Sequence, residues 1–157
     1  MERKIILLVA GFLLMQSGMC QLPFSEKRIR DKAYFEGVAL IRQSSYDRAS
    51  EKMSECLEMD STFAPAYLQR GRILIEGGQT DQAMDELNEA LQYDPHLGEA
   101  LFYKGYLYFL NDSSALDAPL FDKAIEEGFT PAHAYYFRAL TRIRDGRNEE
   151  AVEDLNR

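Results

Sequence analysis

Small residues stand 34 positions apart along this chain, at Gly37, Gly71, Gly105 and Ala139. A fixed interval of this size marks stacked helical pairs, each too small to bury its apolar surface alone, so that the stack is the folding entity. A second series, Ala49, Ala83 and Ala151, keeps the interval but carries Asp117 in the third unit. A third series, Cys56, Ala90 and Ala124, follows the second seven residues behind. The text also repeats, most plainly in Ala66-Tyr67-Leu68-Gln69-Arg70-Gly71 against Ala134-Tyr135-Tyr136-Phe137-Arg138-Ala139. Small residues at such positions let two helices cross at close approach, ridge into groove.

The unit from Ala64 to Leu97 places Tyr67, Gly71, Leu74, Ala83, Leu87, Ala90 and Pro95 in a pattern that resembles the tetratricopeptide repeat, with Tyr67 where that family most often has Trp. Slid by 34 residues each way, the frame opens further units at Arg30, Gly98 and Ala132 without insertion or deletion, and the resemblance covers about four-fifths of the chain. It implies an all-α, right-handed α-solenoid of helical hairpins. The units are then 30–63, 64–97, 98–131 and an incomplete 132–157, behind a short lead at 21–29.

Turn residues agree with the frame. Gly77-Gly78 ends the first helix of the second unit, Gln79-Thr80-Asp81 can cap its partner, and Gly146 takes the turn role in the last unit. The third unit departs. Asp117 replaces a small residue and Pro119 removes a backbone donor, which predicts a late helix start with Asp117 as N-cap, Pro119 in the first turn and a polar loop over 111–116.

Residues 1–20 stand outside the repeats. Arg3-Lys4, eleven apolar residues from Ile5 to Met15 and a small-residue zone at 16–21 form the pattern of a secretory signal. The apolar run is short of the roughly 20 residues a membrane span needs. Cleavage before Gln21 is expected, which intact-mass analysis of exported protein would register. Lipid attachment at Cys20 and an uncleaved anchor are the alternatives. The expected location is periplasmic or extracellular, with no membrane span in the mature chain. The chain's end at Arg157 falls inside the second helix of the fourth unit and leaves Ala151, Val152 and Leu155 without a capping helix. A longer natural product, or a partner covering this end, would supply it.

The formal charge is −8; the leader carries Glu2 against Arg3 and Lys4, so without it the charge is −9. Such acidity argues against nucleic acid as a partner. One charge pattern is specific: Glu36, Arg70, Lys104 and Arg138 precede the recurring small residues, and sixteen residues on stand Lys52, Glu86, Leu120 and Asp154. Three of these pairs are opposite in sign, the first inverted, which predicts ion pairs between the two helices of a unit.

The sequence carries no catalytic constellation. His96 and His133 have no partners at metal-ligand spacing, and no phosphate loop, nucleophile elbow or Cys-x-x-Cys pair is present. No enzyme activity, cofactor or metal is expected. Cys56, at a packing position, reads as an inert buried thiol.

In stacked repeats of this family the first helices line a concave face, and the residues pointing into it lie one place, about 100°, beyond the core positions. The resemblance therefore implies a groove lined by Tyr34, Val38 and Ile41, by Leu68, Arg72 and Ile75, by Phe102, Tyr106 and Phe109, and by Tyr136, Leu140 and Ile143. Family members that grip acidic C-terminal tails use Lys and Asn at such places, and those residues are absent here. The stripe either packs the first helices together or receives an amphipathic or extended peptide. The function this implies is a non-catalytic scaffold for a peptide or protein partner. The alternative is a recruitment region at the N-terminus of a longer exported enzyme or sensor.

Overall fold

The computed structural model describes residues 22–111 and 114–157; the leader and its cleavage zone lie outside the described residues. Among the described residues there are eight helices and no strands: α1 Phe24–Arg42, α2 Tyr46–Met59, α3 Ala64–Glu76, α4 Thr80–Tyr93, α5 Gly98–Leu110, α6 Ser114–Glu126, α7 Ala132–Arg144 and α8 Asn148–Leu155. They form a right-handed α-solenoid in which each odd-numbered helix packs most extensively against the even-numbered helix that follows it. The first helix begins at Phe24, so most of the segment ahead of Arg30 continues α1 as helix.

The recurring small residues stand where the two helices of a hairpin cross. A Cβ on Gly37 would come within 2.5 Å of the Met53 Cε, and one on Gly71 or Gly105 within 3.1 Å of Leu87 or Phe121. Ala49, Ala83, Ala90, Ala124 and Ala139 are fully buried. Three apolar clusters run along the stack, around Met53 and Cys56, around Leu87 and Leu107, and around Phe102 and Phe121. Burial pushes the Cys56 thiol up to about 11, as suits a packing residue.

The turn after the first helix of a hairpin needs one left-handed residue. Gly78 (φ +72°) and Gly146 (φ +77°) supply it at no steric cost, while Ser44, 34 residues before Gly78, adopts φ +56° with a side chain. Thr80 is the first residue of α4 and not its cap; Gln79 holds the cap position without a side-chain hydrogen bond.

The third hairpin corrects the expected late start. Helix α6 already runs from Ser114, so Pro119 lies inside it and Asp117 is not an N-cap. The Asp117 carboxylate is fully buried. It accepts hydrogen bonds from both terminal guanidinium nitrogens of Arg144, at 2.7 and 2.8 Å, and from the Ala118 amide at 2.6 Å. An acid can thus occupy the small-residue position because a cation from the next unit reaches it. The side-chain bond to Ala118 helps replace backbone bonding near the proline.

Three of the expected intra-unit charge pairs form: Glu36–Lys52 at 3.7 Å, Arg70–Glu86 at 2.6 Å and Arg138–Asp154 at 2.5 Å. Lys104, facing Leu120 in its own unit, instead donates to Asn88 Oδ1 of the preceding unit at 2.7 Å. Asp154, nearly fully buried, also takes Arg142 at 2.6 Å.

Formation of a pair does not mean that it stabilises. Burial pushes the Glu86 carboxyl above its usual 4.5 against the pull of Arg70, and its second oxygen, Oε2, is buried without a hydrogen-bond partner. A folded-state value above the unfolded one means that the folded protein binds the proton more tightly, so this group's contribution falls as pH rises through the acid range. Glu86→Gln should therefore leave the thermal midpoint at neutral pH equal or higher. That advantage should shrink toward pH ~4, where the carboxyl takes up its proton. A midpoint clearly lower at neutral pH would show that the Arg70 bond outweighs the burial.

Candidate functional site

Lining residues expected from the sequence divide into three groups. Leu68 and Phe102 are buried, at 3% and 2% exposure, and belong to the core and not to an open groove. Phe102 sits among Tyr106, Phe121, Phe129, Phe137 and His133, with ring centroids 4.9–6.4 Å away. Tyr34, Val38, Ile41, Arg72, Ile75, Tyr106, Phe109 and Leu140 are half-buried. Tyr34 lies edge-on to Phe63 at 5.4 Å, and Tyr106 and Phe109 lie edge-on to Phe137 at 5.1 and 5.5 Å. Only Tyr136 and Ile143 are open, each 49% exposed. Packing between successive first helices therefore consumes most of the stripe in the third unit and leaves the fourth unit free.

A polar chain links three units along the same helices. The buried Gln69 donates through Nε2 to the Tyr34 hydroxyl at 3.5 Å and accepts from Arg72 at 3.1 Å. Arg72 pairs with Glu99 of α5 at 3.1 Å and stands over the Tyr103 ring at 5.4 Å. Burial raises the Tyr34 and Tyr103 hydroxyls above their usual range, so both remain protonated. Burial also lowers His133, against the pull of Glu99, which suits a neutral ring packed on Phe102 and Phe129.

Beside Arg72 the helices leave a pocket of about 280 Å³, lined by Ile41, Arg42, Tyr46, Arg72, Ile73, Ile75, Glu76 and Tyr103. Three of these, Ile41, Arg72 and Ile75, belong to the expected stripe. Gln69 and Tyr103 were missed, although they share one register position with Phe35 and Phe137, immediately before the recurring charged residue. Among the described residues no group of three or more His, Cys, Asp or Glu could hold a metal ion. His96 contacts Glu127 at 2.8 Å in the turns between units, with its side chain 75% exposed. No helix of the described residues is long and apolar enough to cross a membrane.

Eight helices in 34-residue pairs, with the small residues at the crossings, invite comparison with known repeats. The family model for the tetratricopeptide repeat matches residues 40–109. Residues 40–109 of this chain are tetratricopeptide repeats. The match spans the second helix of the first unit, the whole second unit and the first helix of the third, the part where the sequence frame is most regular.

The chain is 25% identical over 137 residues to the DnaJ homolog subfamily C member 3 of Bos taurus, covering 78% of this chain and 27% of that protein. It thus spans about a quarter of the length of that relative. Its fold is similar to the crystal structure of MamA, with a TM-score of 0.67 at 20% identity over 81% of this chain and 74% of the other. It is similar too to YrrB, described as a TPR protein with an unusual peptide-binding site, with a TM-score of 0.65 at 20% identity over 78% of this chain and 63% of that one.

Proposed function

We propose that this chain is a non-catalytic interaction scaffold that holds a peptide or protein segment along the face of its first helices. The pocket beside Arg72 carries the proposal: apolar side chains from two units surround a space left open between the first helices. Exposed Tyr136 and Ile143 extend the same face and supply further apolar contact. Large side chains held by a rigid scaffold and only partly covered are the kind of anchor that dominates binding energy. The YrrB likeness supports the fold on which such a site is built. Export of the scaffold is part of the proposal and rests on the charge and apolar pattern of residues 1–20.

The test separates binding from folding. Tyr136→Ala removes a half-exposed ring and should change stability by about 0.5 kcal/mol or less. The same variant should lose partners captured by the wild type from the native extract, whereas Glu51→Ala on the outer helix should keep them. Tyr106→Ala, cut from the aromatic cluster, should lower stability in addition. Undiminished capture by Tyr136→Ala and by Ile143→Ala would remove the face of the fourth unit from the proposed site.

A further inference from the structure

The pocket lies at the C-terminal ends of α1 and α3, between the first and second units, with the Tyr103 ring of α5 as one wall. At about 280 Å³ it is too small for a helix, whose body is roughly 10–12 Å across, and matches one bulky side chain. Its charges fall into two classes. Arg72 is engaged, held by Gln69 and Glu99 and seated over Tyr103, so it forms a fixed wall. Arg42 and Glu76 are exposed, each the last residue of its helix, and neither stands within ion-pair distance of an opposite charge among the described residues.

These two ends are not equivalent. Arg42 already complements the partial negative charge at the end of α1, whereas Glu76 adds a carboxylate to the negative end of α3, whose last turn holds no basic residue. A cation arriving beside Glu76 meets the carboxylate and the helix end together. An anion is welcome only on the Arg42 side.

Resting on the interaction reading above, we propose that this pocket seats one large apolar side chain, Leu, Met or Phe, of a partner segment bearing a basic residue toward Glu76 and an acidic residue toward Arg42. The pocket supplies the anchor, and the two charges set which way the segment runs. Because rim charges act chiefly on register and partner choice, reversing one of them changes what is selected more than whether the protein folds.

Selection of random phage-displayed peptides on the intact protein tests this. Enriched peptides should share a large apolar residue with Lys or Arg on one side and Asp or Glu on the other. As synthetic peptides they should bind Glu76→Lys at least about tenfold more weakly, the loss of one charge-assisted contact. Selection on Glu76→Lys should replace their basic residue with an acidic one. Glu76→Gln, with an unchanged melting curve, should fall between the two. Enriched peptides that bind wild type and Glu76→Lys within about twofold overturn the proposal. If those peptides are weakened by Tyr136→Ala, the interaction face stands and only the pocket is wrong; if no variant affects them, or nothing is enriched, both readings fall.

Discussion

Phe102→Ala should cost about 3–5 kcal/mol of stability, the loss expected for a fully buried aromatic whose removal leaves a cavity. The ring is 2% exposed and touches side chains from α5, α6 and α7 as well as the turn between α6 and α7, so its absence loosens the third and fourth units together. Denaturant unfolding of the described repeats measures the loss directly. A surface anchor at this place would instead give a variant of near wild-type stability, so a loss below about 1 kcal/mol would return Phe102 to the groove.

Arg144→Ala should be nearly as damaging, at about 3–5 kcal/mol, although the arginine is partly exposed at the end of α7. The cost lies with its partner: Asp117 would keep a fully buried carboxylate without its cation. Asp117→Ala removes the charge itself and restores the small residue that the other units carry, so it should cost less, and the double variant should be more stable than Arg144→Ala alone. A thermodynamic cycle over the four proteins gives the coupling. Equal losses for both single variants, simply adding in the double, would show that the pair contributes nothing as a pair.

That pair marks the limit of what the chain's text discloses. Gly37, Gly71, Gly105 and Ala139 announced the hairpins because a close helix crossing tolerates only small side chains, a constraint written at single positions. Arg70 and Glu86 were legible as partners because a fixed repeat places residues sixteen apart on facing helices. Asp117 was misread as a cap because its partner lies 27 residues on, in another unit, where no local pattern points to it. Lys104 likewise turned to Asn88 of the preceding unit once its own unit offered only Leu120.

The candidate site shows the same division. A helical rotation places Leu68, Phe102 and Tyr136 on one face, and the sequence treats them alike. Packing does not: Leu68 and Phe102 are closed off by the helices beside them, while Tyr136 stays open. The repeat and the helix pairing follow from spacing, because each depends on geometry within 34 residues, and the resemblance to a known repeat supplied the candidate lining residues. Which lining residues remain accessible, and how much the buried charges cost, was decided only in the tertiary structure, because burial is set by what neighbouring units bring against each side chain.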